Sequence, residues 1–182
     1  MKKFDEPQPV KLVCGLLFRE EERLNRGLSA LEAQFGERDF QSMPVEFSFT
    51  DYYFEEMGRP LYRMFASFER LIDPAALAEI KIFTNTLEEN CASAVDGRRL
   101  INIDPGYLTP TAFILATSKN FAHRIYLGKG VFAQQELLFE KRRIQTLDWT
   151  YPDYRSHEYQ EILKRIRAIY LGQLKAFQGK VI

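Results

Sequence analysis

The sequence predicts an α+β protein: a single mixed or mostly antiparallel sheet of about six or seven strands with about three helices packed on it. Short apolar or alternating segments bounded by turn residues recur along the chain, as at 10–18, 45–49, 111–117 and 131–139. Several of them follow one another with no helical segment between. Aromatic residues make up 14% of the chain, with 15 Phe and 9 Tyr, a composition that suits strands and a bulky core.

The elements follow in order. Residues 1–9 are polar with Pro7 and Pro9, and read as a loose N-terminal arm. Val10–Phe18 is apolar on both alternating faces apart from Lys11, the pattern of a central strand covered on both sides. Over 20–35, Leu24, Leu28, Leu31 and Phe35 recur at helical spacing. Glu20, Glu21 and Glu22 crowd the first turn and Gly36 stands at the stop. Val45, Phe47 and Phe49 alternate with polar residues, which predicts a half-buried strand over 45–49. Leu61–Arg70 is a further strand. Asp73-Pro74 supplies an N-cap acceptor and a proline at the first helical position, so a helix is expected from there to about residue 94, with a weak point at Thr84-Asn85-Thr86.

Asp96-Gly97 makes a turn, and Arg99–Ile103 a short strand that is expected to end in Asn102-Ile103-Asp104-Pro105-Gly106-Tyr107, a turn-rich signature. Strands over 111–118 and 131–139 flank His123–Gly130. A hairpin returns through Glu140-Lys141-Arg142 to 143–147. An aromatic loop, 148–156, leads to a last helix over about 157–176, with Tyr159, Ile162, Leu163, Ile166, Ile169, Tyr170 and Leu174 on one broad face.

Length and composition narrow the classes of function. The 182 residues fit one domain, 1–182. The 25 basic and 25 acidic residues cancel, so the strongly basic footprint of a nucleic-acid binder is absent overall. Local runs remain at Lys141-Arg142-Arg143 and Lys164–Arg167, and nucleic acid is not excluded. No segment approaches the run of about 20 apolar residues that a membrane span needs, and the start carries no secretory signal. Cys14 and Cys91 each sit in apolar patterns and make neither a zinc set nor a disulfide framework. A reduced, cytoplasmic setting is expected. The oligomeric state is open.

The densest chemistry lies at His123–Gly130. His123 is a candidate general acid or base, Arg124 and Lys129 can hold an anion, and Gly128 and Gly130 allow close backbone approach. The same Gly-Lys-Gly also suits an ordinary hairpin turn. Asp51 and Asp104 follow expected strands and are candidates for acid–base work. Mg²⁺ is the cation such a pair would hold with Glu56 and waters; each aspartate equally suits a turn. Tyr52, Tyr53, Tyr107 and Tyr126, with Trp149, Tyr151, Tyr154 and Arg155, are candidates to line a ligand pocket or to pack at its edges. No phosphate loop and no Rossmann glycine pattern follows the first strand, and no nucleophile elbow or zinc-protease helix occurs, so no cofactor is assigned.

Five pieces stand out together: Phe-Thr-Asp-Tyr-Tyr (49–53), Glu-Met-Gly (56–58), Asn-Ile-Asp-Pro-Gly-Tyr (102–107), His-Arg-Ile-Tyr-Leu-Gly-Lys-Gly (123–130) and Trp-Thr-Tyr-Pro-Asp-Tyr-Arg (149–155). They resemble a family of uncharacterised bacterial and archaeal proteins, a domain of unknown function of about this length. The resemblance runs from about Lys11 to about Lys175 and implies no activity.

Two functions stay open. One is a small enzyme or binding protein for a phosphorylated or nucleotide-like small molecule, with His123, Asp51 and Asp104 as catalytic candidates and Arg124, Lys129 and the tyrosines holding the ligand. It requires these distant segments to converge. The other is a non-catalytic module for RNA or a protein partner, which requires a one-sided positive surface.

Overall fold

The computed structural model describes residues 7–93, 95–140 and 143–178. Residues 1–6 of the expected arm, Lys141 and Arg142 of the hairpin end, and 179–182 of the tail lie outside the described residues. In chain order the elements are β1 (Lys11–Phe18), α1 (Glu21–Phe35), β2 (Arg38–Gln41), β3 (Val45–Glu46), α2 (Phe54–Met57), β4 (Tyr62–Phe68), α3 (Leu77–Asn90), β5 (Ile101–Leu108), β6 (Ala112–Thr117), β7 (Ile125–Gly128), β8 (Val131–Phe139), β9 (Ile144–Thr146) and α4 (His157–Gln178). The strands form one nine-stranded sheet in the order β2-β4-β1-β5-β6-β8-β7, with β3 on β4 and β9 on β8. Every strand pair is antiparallel.

The sheet buries both faces, for the reason the sequence implies. Along β1, Leu12, Cys14, Leu16 and Phe18 point to the face covered by α1, whose Leu24, Leu28, Leu31 and Phe35 meet them. Val13 points the other way, into a cluster with Phe65, Phe113 and the Tyr159, Leu163, Ile166 and Tyr170 stripe of α4. All eight β1 residues are buried, Lys11 included. Its ammonium donates to Phe68 O at 2.6 Å and Gln173 Oε1 at 2.9 Å and pairs with Asp39, which is how a cation survives there.

Local chemistry sets several boundaries. Gly36 ends α1 at φ 93°, a conformation that favours glycine. The Asp73 carboxylate accepts from Ala75 N at 2.8 Å, and a 3-10 turn over Pro74–Ala76 leads into α3. The threonines do not break α3: Thr84 and Thr86 return their hydroxyls to the Lys81 and Ile82 carbonyls. Two elements were not legible, the edge strand β2 and the one-turn α2. The expected strand at 45–49 pairs with β4 at Val45 and Glu46 and adds one backbone bond from Phe47 N to Leu61 O at 2.8 Å, and the Phe47 side chain joins a small cluster with Leu17, Met57 and Leu61.

The largest departure is at Asn102–Tyr107. This stretch is not a turn but the body of β5, paired with β1 along its whole length, with Cys14 opposite Pro105. On its other side β5 meets β6 only at Gly106, Tyr107 and Leu108. Pro105 lacks an N–H, and in an antiparallel ladder residues two apart present their backbone groups to the same edge. Pro105 and Ile103 thus face an edge where β6 has already diverged, so the missing donor costs no ladder bond. Gly106 marks the crossing point. A Cβ there would collide with Ile114 O and lie 2.9 Å from the Phe113 ring. The sheet is consequently split between β5 and β6, starting at Pro105.

Candidate functional site

The split is where the site lies. A cavity of about 570 Å³ opens between Asn102 and Asp104 of β5 and the Leu115–Lys119 stretch of β6 and its following loop. The α3 side chains of Lys81, Asn85 and Glu88 wall it from one face of the sheet. Tyr151–Tyr154 walls it from the other, and Phe49, Thr50, Tyr52 and Tyr53 complete its rim.

The split strands the backbone of Ile103, and α3 answers it. Glu88 Oε1 accepts from Ile103 N at 2.7 Å and Lys81 Nζ donates to Ile103 O at 2.9 Å. Lys81 Nζ also lies 3.8 Å from Asp104 Oδ1 and 3.9 Å from Glu88 Oε1. On the α4 face, Arg63 of β4 passes over Gly15 of β1 to reach Asp104, with Nη1 to Oδ2 at 2.8 Å. Any larger residue at 15 would crowd it, since a Cβ there would sit 3.1 Å from Arg63 Nη1. Asn102 Nδ2 donates to the same Asp104 oxygen at 2.7 Å, and Arg99 donates to Asn102 Oδ1 at 2.6 Å and to Glu56.

The electrostatics follow from burial. Burial pushes the Asp104 carboxyl up, but Arg63 and Lys81 more than reverse this and hold it below the ordinary carboxylate range. Glu88 is pushed up to about 7 by burial, with Lys81 only partly opposing. Asp153, which lies 3.9 Å from Arg63, is also raised by burial. Arg63 itself is 2% exposed, and its Nε, like the Tyr154 hydroxyl, is buried without a hydrogen-bond partner among the described residues. Lys119 makes no ion pair among the described residues; its ammonium sits 4.1 Å from the centre of the Tyr52 ring at the mouth.

The residues singled out in the sequence divide between places. Asp104, Tyr52 and Tyr53 line the cavity. His123 and Arg124 line a shallower concavity beside it. Arg124 donates to Lys119 O and to Tyr151 O–H, both at 2.7 Å, so it fastens two walls of the main cavity together from outside. Asp51 lines neither concavity and pairs with Arg59 on the exposed surface. Tyr107 packs on the opposite side of β5, against the α1 and α3 clusters. Tyr126 and Lys129 belong to the β7–β8 hairpin, where Gly128, Lys129 and Gly130 all take positive φ and Lys129 pairs with Glu79. Arg155 donates to the carbonyls of Leu147, Asp148 and Thr150 and so holds the aromatic loop in shape.

The three carboxylates considered for Mg²⁺ are each engaged by a different arginine: Asp51 by Arg59, Asp104 by Arg63 and Glu56 by Arg99. Among the described residues no group of three or more His, Cys, Asp or Glu is placed to hold a metal ion. The basic run on α4 is spent internally, with Lys164 on Glu161, Arg165 over the Phe40 ring and Arg167 on Pro110 O.

Arg63, Lys81, Glu88, Arg99, Asn102 and Lys119 also belong to the site, and sequence reasoning misses them. A signal exists for three of them. Arg63 takes an inward position in a strand with Phe65, and Lys81 and Glu88 fall on the buried side of α3 with Leu77, Ile80 and Thr84. A charge on an inward face has to find a buried partner.

No helix among the described residues is long and apolar enough to cross a membrane. No curated protein and no solved structure matches the chain. One family model does, over residues 8–170, nearly all of the sequence. The chain therefore belongs to that family, a domain of unknown function (DUF4416).

Proposed function

We propose that the β5–β6 cavity binds a small phosphorylated or nucleotide-like molecule, with its planar part among the tyrosines and its anionic part towards Lys119. The observation that carries this is the cavity itself, opened through the middle of a sheet and lined on both faces by polar groups. Its volume of about 570 Å³ suits a ligand of that size. Four cations, Arg63, Lys81, Arg99 and Lys119, face three carboxyl groups, Glu88, Asp104 and Asp153, two of which burial makes weaker acids. The balance attracts an anion. Glu88, poised near neutrality beside Lys81, is the group best placed to give or take a proton should the ligand react. The two cysteines are free and buried, in keeping with a reducing compartment such as the cytoplasm.

A thermal-shift screen against nucleotides, sugar phosphates and inorganic phosphate, with and without Mg²⁺, tests the reading. A ligand at 100 times its Kd should stabilise by about 2.7 kcal/mol. Lys119→Ala and Tyr52→Ala, both at the mouth, should lose that shift while keeping their own Tm. Lys129→Ala, outside the cavity, should retain it. No shift with any compound, or a shift untouched by both mouth variants, would overturn the proposal.

A further inference from the structure

The main cavity has a neighbour across Tyr151. The same residue is a wall of the second concavity, about 460 Å³, which Phe121, His123, Arg124, Asp148 and Trp149 complete. Two cations stand at the boundary. Arg124 binds Tyr151 O–H and Lys119 O, and Lys119 itself reaches over the Tyr52 ring of the first cavity.

The far side is a prepared stacking surface. The Trp149 indole donates Nε1–H to Gln135 O at 2.8 Å, which fixes its plane. His123 stacks on one face of it, 4.8 Å away and 8° from parallel, and is itself held by Gln134 Oε1 at 3.0 Å. The indole still remains 37% exposed, and Phe121, whose ring lies 5.3 Å from the His123 ring, is 64% exposed. A fixed aromatic plane left open to solvent is what a stacking ligand uses. Asp148 adds a carboxylate on this side, which repels a phosphate from the second concavity but accepts from the amino edge of a base.

Ring platform, cations and ring platform in that order match one chemistry. We infer that the two concavities are subsites of a single ligand in which two bases are joined through phosphate, either a dinucleotide or the end of a single-stranded oligonucleotide. This rests on the function proposed above. One base enters the β5–β6 cavity, the linking phosphate lies at Lys119 and Arg124, and the second base stacks at Trp149 and Phe121.

Trp149 is the only tryptophan in the chain, so its fluorescence reports on the second subsite alone while Tm reports on the whole protein. The full-length protein would be titrated with the nucleoside monophosphates, the complete set of ribodinucleoside monophosphates, and oligoribonucleotide hexamers. At least one dinucleoside monophosphate should bind about tenfold more tightly than either of its mononucleotides, the gain expected of one extra stacked base, and should quench Trp149. Phe121→Ala should remove that gain and leave mononucleotide binding as it was. A hexamer that binds more tightly still identifies an oligonucleotide end; equal affinity identifies a free dinucleotide. Mononucleotides that shift Tm as much as every dinucleotide, with Trp149 emission unchanged, would overturn the two-subsite inference and leave the cavity proposal standing. No Tm shift with any of these probes would remove both.

Discussion

Arg63 shows what a single residue can do when the sheet around it cooperates. Its guanidinium is held over a glycine, bonded to Asp104 and within reach of Asp153, with Phe47 on one side. A buried ion pair of this kind adds little net stability against a well-packed apolar pair, but losing one partner strands a charge. Asp104→Ala should therefore destabilise the protein by about 3–5 kcal/mol, read from the urea midpoint at unchanged m. A double change of Arg63 and Asp104 to apolar residues of similar size should cost clearly less. An Asp104→Ala loss under about 1 kcal/mol would mean that Arg63 is not as dependent on Asp104 as its burial implies. The same scale explains why His123 attracts attention in the sequence without reaching the main cavity: its ring is stacked on Trp149, one strand pair further along the sheet.

At the scale of elements, β5 and α3 form one unit. The strand gives up pairing with β6 before Pro105, and the helix supplies the missing partners through Lys81 and Glu88. Lys81→Met keeps the length of the side chain but leaves the Ile103 carbonyl without its donor, an expected loss of about 1–3 kcal/mol. Gly106→Ala should be at least as costly, about 3 kcal/mol, because the obstacle is the Ile114 backbone, which cannot rotate away. If calorimetry found Gly106→Ala neutral, the close crossing of β5 and β6 would not be what fixes the split.

At the scale of the whole molecule, burial sets how stability depends on pH. Glu88 and Glu136 are both pushed up to about 7, chiefly by burial. Each then binds more proton in the folded chain than in the unfolded one between about 4.5 and about 7. Stability must therefore fall as pH rises through that window. Asp104 acts in the opposite sense, since its lowered value adds stability above the ordinary carboxylate range and withdraws it on acidification. Tm should accordingly peak on the mildly acidic side. Glu136→Gln, whose side chain faces Gln134 and the Tyr151 backbone rather than the cavity, should flatten the decline above the peak. A Glu136→Gln profile parallel to that of the parent chain would show that Glu136 ionises freely in the fold.

Strand and helix patterns at β1, α1, α3, β6, β8 and α4 could be read from the chain because each is a periodicity within one segment: two for a half-buried strand, continuous for a central one, 3.6 for a helix. Both core faces of the sheet follow from those periods. Asn102–Tyr107 could not be read that way. Asp-Pro-Gly is turn chemistry in isolation; pairing with β1 makes it a strand, and the absence of β6 opposite Ile103 and Pro105 is what lets the proline sit there. The site obeys the same limit. Asp104, Tyr52 and Tyr53 are visible as polar residues near expected strand ends, whereas Arg63, Lys81 and Glu88 become meaningful only once β4 and β5 flank β1 and α3 packs on them. Local periodicity is enough to say which segments are apolar and on which side. Tertiary structure decided where the sheet opens, because a gap between strands depends on the pairing of residues far apart in the chain.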